Sequence, residues 1–325
     1  MKTLVTGATG FLGFHLVGAL LARGESVRAV GRNAEKCELL AKMGAEVVVA
    51  DLRERGAIAA ACEGVDRVCH SGALSSPWGA RSEFEAINVG GTENVISGCL
   101  AHTVRRLVYI SSPSVVFNGR DQESLSEHAP FPARFVSIYS ETKKRGEDLV
   151  NAATLLHGDE LGTVILRPKA IFGPGDTALL PRLLAAARSH RLPQIGDGRN
   201  RVDLTYVENV VDATILALES AAAVGKTYTI TNGESARLWD VIRQALAAAG
   251  LSTDLRTVPL PVAYAAATLM EGIAARTGKE PLLTRYSVLI LARTQTYDIS
   301  AARRDLGYLP RITLAEGLAR TIAAM

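Results

Sequence analysis

Three glycines spaced three residues apart constrain this chain more than any other feature. Thr6-Gly7-Ala8-Thr9-Gly10-Phe11-Leu12-Gly13 follows a short β-branched run, Thr3–Thr6, and opens an apolar helical pattern, Leu12–Ala22. In a strand–turn–helix of this kind, Gly7 permits the tight turn and Gly10 lets backbone approach a pyrophosphate. Gly13 allows the helix to pack closely on the strand. The helix start then offers amides and the positive end of a dipole to phosphate. The turn predicts an α/β fold that binds a dinucleotide, with Thr9, Phe11 and Leu12 beside the glycines in the binding loop.

The first two-thirds of the chain carries this pattern on. Strands are predicted at Ser26–Val30, Glu46–Val49, Arg67–His70, Arg106–Ile110 and Gly162–Leu166, and helices at Ala34–Lys42, Ala57–Ala61, Phe84–Ala101 and Tyr139–Ala152. Such alternation is the mark of a doubly wound parallel sheet, the Rossmann arrangement. The continuous run Val47-Val48-Val49 predicts burial on both faces. After Pro168 the rhythm changes. A loop, Gly173-Pro174-Gly175-Asp176, leads to a helix near Leu179–Ser189 and a polar stretch. Strands at Val202–Val207 and Thr227–Thr231 flank a helix at Val210–Ala221, and helices follow near Leu238–Ala249, Ala263–Ala275 and Leu314–Ala324. The reading is a dinucleotide-binding core over residues 1–175, to which 202–232 returns. A small, mostly helical C-terminal substrate lobe is built from 176–201 and 233–325.

The second strand ends at Val30-Gly31-Arg32-Asn33. An acidic residue there would bind a ribose 2′-hydroxyl, and the chain has none. Arg32 can pair with a 2′-phosphate, which favours NADP(H) and leaves NAD(H) possible; the alternative is a solvated loop residue. Asp51-Leu52, after the third strand, either places a carboxylate near the adenine amino group or caps the next helix. Ser71-Gly72-Ala73 lets backbone pass close to the cofactor, although loop geometry alone explains it too.

Tyr139 and Lys143, four residues apart on a helix, share one face. A fixed positive charge favours phenolate and lowers a pKa otherwise near 10. Such a tyrosine exchanges a proton with an alcohol or a carbonyl oxygen. The fifth strand runs into Ser111-Ser112-Pro113-Ser114, at the carboxyl edge where open α/β sheets bind ligands. A hydroxyl there can hold a substrate oxygen beside Tyr139.

Composition narrows the partners. With 48% hydrophobic residues and a net charge of +3, nothing argues for nucleic acid or a charged membrane surface. The four cysteines (Cys37, Cys62, Cys69, Cys99) lack metal-ligand spacing and the pattern of a secreted disulfide framework. They read as buried apolar residues in a reducing cytoplasm, with no metal centre. Met1-Lys2 runs directly into a strand, which argues against a signal peptide. Val258–Ala275 contains two prolines and Glu271 and falls short of the roughly 20 apolar residues a bilayer span needs. It either lines an apolar pocket with Val262, Ala263, Ala266, Ala267, Leu269 and Met270, or packs its own lobe. Trp78 stands in a loop that caps the site or simply packs.

The glycine turn, the strand-end serines and the Tyr-Ser-Glu-Thr-Lys run resemble an extended short-chain dehydrogenase/reductase over essentially the whole chain. The resemblance implies catalytic Ser112, Tyr139 and Lys143. Ser112 is favoured over Ser111 as donor to the substrate oxygen, and Lys143 also holds the nicotinamide ribose. It links Asn88 to active-site order, with buried helix packing as the alternative, and takes Leu166-Arg167-Pro168 past the nicotinamide, Pro168 by its backbone. Ser-Ser-Pro-Ser-Val-Val-Phe, Arg-Pro-Lys-Ala-Ile-Phe-Gly-Pro-Gly-Asp and Val-Asp-Leu-Thr-Tyr-Val-Glu-Asn-Val-Val look closer to the 3β-hydroxysteroid dehydrogenase branch. That branch includes sterol-4-carboxylate 3-dehydrogenases and 2-alkyl-3-oxoalkanoate reductases. The implied reaction is hydride transfer between a nicotinamide and a secondary alcohol or ketone on a steroid-like or long-chain β-oxo or β-hydroxy compound, in a homodimer.

Two rivals share the fold. A nucleotide-sugar 4-epimerase presents an asparagine and an arginine to the sugar diphosphate where this chain has Ala170 and Val202, which weakens charge-assisted binding; Arg199 or Arg201 can substitute. A dehydratase needs a Thr-Asp-Glu triplet where Ser112-Pro113-Ser114 stands. A non-catalytic NAD(P)-sensing regulator would usually lose Tyr139 or Lys143.

Overall fold

The computed structural model describes residues 1–177 and 179–324. Its centre is a seven-stranded sheet: β1 (Lys2–Thr6), β2 (Ser26–Gly31), β3 (Glu46–Val49), β4 (Arg67–His70), β5 (Arg106–Ile110), β6 (Gly162–Pro168) and β7 (Lys226–Ile230). All are parallel, in the order β3-β2-β1-β4-β5-β6-β7. The order reverses between β1 and β4, so their carboxyl ends open the crevice in which such sheets bind ligands. Apolar side chains fill both faces. One face packs against the helices Phe11–Ala22 and Val207–Glu219, the other against Arg55–Ala61 and Gly91–Ala101. This is the doubly wound fold that the alternation predicts.

Several expectations need correction. Val49 is 62% exposed, because β3 is an edge strand whose only neighbour is β2; both-face burial does not extend to it. The predicted strand Val202–Val207 divides. Arg201–Asp203 joins a small sheet with Gln122–Leu125, Ser235–Arg237 and Gln295–Tyr297, while Thr205–Tyr206 pairs with Ile171–Phe172. The predicted helix Phe84–Ala101 is interrupted by a π-helical turn, Glu85–Gly90, before Gly91–Ala101 continues. Such turns carry one extra residue and commonly mark functional positions; Asn88 lies in this one.

The helix Leu260–Thr277 buries Ala263, Ala267 and Ala274 against the lobe, around Trp239 and Val288. Val262, Ala266, Leu269 and Met270 are exposed, so the helix packs its own lobe instead of lining a pocket. Among the described residues no helix is long and apolar enough to cross a membrane.

Candidate active site

The glycine turn is built as tightly as the spacing demands. Gly7 has φ +67°, and a Cβ on it would lie 2.5 Å from the Gly72 Cα. A Cβ on Gly13 would lie 2.3 Å from the Gly7 oxygen. The Gly10 amide donates to that same oxygen at 2.8 Å. Gly10 is the N-cap of the helix and makes no side-chain cap bond, which leaves the first amides to be satisfied by a ligand. Leu12 turns its side chain into the core, which leaves only its backbone for a ligand. Phe11 stacks edge-on against His15, whose ring bonds the Pro174 carbonyl at 2.8 Å.

Beside this turn lies a cleft of about 200 Å³ lined by Gly7, Thr9, Gly10, Gly31, Arg32, Asp51, Leu52, Ser71, Gly72, Ala73 and Ile87, among others. A larger recess, near 620 Å³, lies around Asp66 and Arg105 and contains none of the candidate residues. In the cleft Asp51 is not a helix cap: Glu54 holds that position for Arg55–Ala61. Its carboxylate instead takes Arg53 at 2.8 and 2.9 Å and Arg32 at 3.1 Å. Arg53, first among these, holds the acid well below the usual carboxylate range. The shape and donors of this crevice fit the adenosine and pyrophosphate portions of a nicotinamide dinucleotide.

At the next strand ends the serines divide their tasks. The Ser111 hydroxyl is buried and donates to Glu147 Oε1 at 2.6 Å. That carboxylate is also forked by Arg167, at 2.8 and 2.6 Å, in an ion pair almost fully shielded from solvent. Ser111 is thus committed to the core. Ser112 accepts from the Ser114 amide at 3.2 Å, which leaves its own hydrogen free to donate.

Tyr139 opens the helix Ile138–His157, capped by the Ser137 hydroxyl, and Lys143 and Glu147 follow at four-residue intervals on one face. Burial raises the Tyr139 pKa above its ordinary value, while the Ser75 and Ser112 hydroxyls pull it the other way. The expected lowering by Lys143 is therefore not what this geometry gives, since desolvation of the phenol dominates. Lys143 donates to the Ile110 carbonyl at 2.6 Å and lies 4.0 Å from the centre of the Tyr109 ring. Burial brings the lysine down to about 7, against an opposing push from Glu147.

Three participants were not visible in the sequence. Ser75 reaches the Tyr139 phenol from the loop after β4; its only signal was a polar residue two positions beyond Ala73. Tyr286, on the helix Arg285–Ala292, has its pKa pushed up by burial first and by Tyr139 next, while Ser114 opposes the rise. His70 bonds Thr6 at 2.7 Å and Thr92 at 3.1 Å, and burial holds it near 3, hence neutral beneath Lys143. Asn88 gives its amide to Thr142 and the Leu74 carbonyl and accepts the Leu74 N–H, so its side chain orders the site from within. Pro168 ends β6 opposite Ile230. Ala170 sits at φ +42°, and Val202 is buried. Arg201 is exposed and directed at the Ser235 carbonyl; Arg199 is exposed as well. Trp78 is half-buried in its loop, where its amide and carbonyl bond Ser76.

The doubly wound sheet and its glycine-turn crevice belong to an NAD(P)-dependent oxidoreductase of the extended short-chain type. The model of the 3-beta hydroxysteroid dehydrogenase/isomerase family matches residues 4–262, and the chain belongs to that family. It is 40% identical to a 2-alkyl-3-oxoalkanoate reductase of Stenotrophomonas maltophilia, covering 100% of this chain and 99% of the relative. It is 38% identical to the decarboxylating sterol-4-alpha-carboxylate 3-dehydrogenase of Saccharomyces cerevisiae, over 74% and 72% of the two chains. The structure of MoeE5 in complex with UDP-glucose and NAD superposes with a TM-score of 0.78 at 27% identity, covering 100% and 98% of the chains.

Proposed function

We propose that this enzyme reduces the ketone of an apolar β-oxo compound, long-chain or steroid-like, to the secondary alcohol. The observation that carries the reading is the half-buried Tyr139, whose phenol has the Ser75 and Ser112 hydroxyls beside it. A nicotinamide dinucleotide, when bound, supplies the hydride. Ser112 donates its free hydrogen to the carbonyl oxygen and orients it. Tyr139 then gives its proton to that oxygen as negative charge develops there. A phenol raised above its ordinary pKa stays protonated at neutral pH, which suits donation and hence the reductive direction. Lys143, anchored on the Ile110 carbonyl and on the same helix face as Tyr139, re-protonates the site between turnovers.

We assign the cofactor as NADP(H), with NAD(H) the alternative. Arg32 is 61% exposed and shares Asp51 with Arg53. It can turn to a 2′-phosphate while Arg53 still neutralises the carboxylate. A homodimer, with the helices Gly91–Ala101 and Ile138–His157 at its interface, is part of the same proposal; Leu155 and Leu156 stand exposed on the second helix. The four free, buried cysteines suit a reducing, cytoplasmic location.

The test follows consumption of NADPH and NADH with a long-chain β-oxo acid, a steroid 3-ketone and a UDP-sugar. Reduction of one of the first two, with NADPH preferred, is expected. Turnover of the UDP-sugar alone would replace this reading with epimerase chemistry.

A further inference from the structure

Beyond the serines, the end of β6 holds a group of donors without acceptors. Lys169, the residue after Pro168, is half-buried and donates one hydrogen to Gln295 Oε1 at 2.6 Å. The ammonium has two further hydrogens and, among the described residues, forms no ion pair within 4.0 Å. The Gln295 Nε2 and the Tyr297 hydroxyl are buried and have no hydrogen-bond partner among the described residues. Lys169 lies 5.6 Å from the centre of the Tyr297 ring.

The nearest carboxylate acting on Lys169 is Asp203. Its oxygens are taken by the Ser235 hydroxyl at 2.5 Å and the Tyr297 amide at 2.7 Å. The other buried cation nearby, Arg167, is neutralised by its fork on Glu147. One spot therefore gathers a half-buried ammonium with a buried amide and a buried phenol, all offering hydrogens. Buried donors left unpaired cost stability, and an anion is the ligand that satisfies all of them at once.

The spot is joined to the reacting centre. Tyr297 packs on Val115 and Val116, which directly follow Ser112-Pro113-Ser114. We propose that Lys169, Gln295 and Tyr297 form the subsite that binds the carboxylate of an oxo-acid substrate. The proposal rests on the ketone-reductase reading and narrows its substrate class to carboxylate-bearing ketones and alcohols. The names of both relatives above contain a carboxylate.

The experiment compares a long-chain β-hydroxy acid with its methyl ester, each oxidised with NADP+ by wild type, Lys169→Met and Tyr297→Phe. Wild type is expected to show a KM for the acid at least ~10-fold below that for the ester. Lys169→Met raises the acid KM by about 10- to 100-fold, the range for a charge-assisted contact, so the acid-to-ester preference collapses. Tyr297→Phe, which keeps the cation, does so in part and decides the matter if Lys169→Met fails to fold. Equal KM values for acid and ester in wild type overturn the subsite and leave the reductase reading intact. If neither compound turns over, the reductase reading falls. Equilibrium binding of the β-hydroxy acid to cofactor-loaded wild type and Tyr297→Phe then decides the subsite, equal affinities counting against it.

Discussion

The Asn88 amide donates to the Thr142 hydroxyl at 3.0 Å, and this bond ties the π-helical turn Glu85–Gly90 to the helix that carries Tyr139. The same side chain clamps the Leu74 backbone on both its N–H and its C=O. Asn88→Ala would leave the Leu74 N–H and C=O unpaired, while the Thr142 hydroxyl keeps its bond to the Tyr139 carbonyl. The expected loss is about 1–3 kcal/mol of stability, read from urea unfolding, with kcat falling more than cofactor affinity because Ser75 and Tyr139 lose register. Unchanged kcat in a folded variant would remove Asn88 from the ordering of the site.

Lys143 gives a pH signature. Burial lowers its folded pKa to about 7, below its unfolded value near 10.4. Between these values the unfolded chain binds more protons, so this residue's contribution makes stability rise with pH from about 7 to about 10, and it is flat below that window. Lys143→Met removes a buried ammonium, and that rise should disappear from melting curves taken across the window. The variant should melt no lower than wild type at pH 7, while turnover drops by about 10²–10⁴-fold, the scale of a lost acid–base contribution.

Gly13→Ala sets a methyl group against backbone, 2.3 Å from the Gly7 oxygen. Neither atom belongs to a flexible side chain, so the turn itself must shift. Cofactor affinity is expected to fall by more than tenfold, measured by fluorescence titration with NADPH. Gly56→Ala, at an exposed position of the helix Arg55–Ala61 where a Cβ meets nothing within 4 Å, serves as the control and should be neutral or slightly stabilising.

Much of this was legible in the sequence, for a physical reason. β3, β4 and β5 occupy the predicted ranges, because a parallel sheet covered by helices needs apolar runs at their centres. The glycine turn was readable since its backbone admits no Cβ at Gly7 or Gly13. The strands Gln122–Leu125 and Gln295–Tyr297 were not visible: three or four residues with polar members carry no period, and distant partners define them. Ser75 and Tyr286 were hidden for a related reason. Each reaches the phenol only after a loop and a separate lobe have folded against it, and nothing in their neighbours marks that meeting. The raised Tyr139 pKa was missed because residue spacing shows charges but not the depth of burial around them.

Cofactor choice tests the reading of the second strand. Wild type is expected to bind NADPH more tightly than NADH, and Arg32→Asp to reverse the order, because a carboxylate repels a 2′-phosphate and accepts from a 2′-hydroxyl. Arg53→Ala should weaken NADPH less, since Arg32 remains. Equal affinities that the Arg32 change leaves in place would take the arginine out of cofactor recognition.

The most direct measurement of the central claim is single-turnover reduction by Tyr139→Phe with NADPH and the preferred ketone, alongside NADPH affinity. The ring and its packing remain while the transferable proton is lost. The account predicts cofactor affinity within about twofold of wild type and a hydride-transfer rate lower by at least ~10²-fold. A variant that binds NADPH normally and reduces the ketone at the wild-type rate would contradict it.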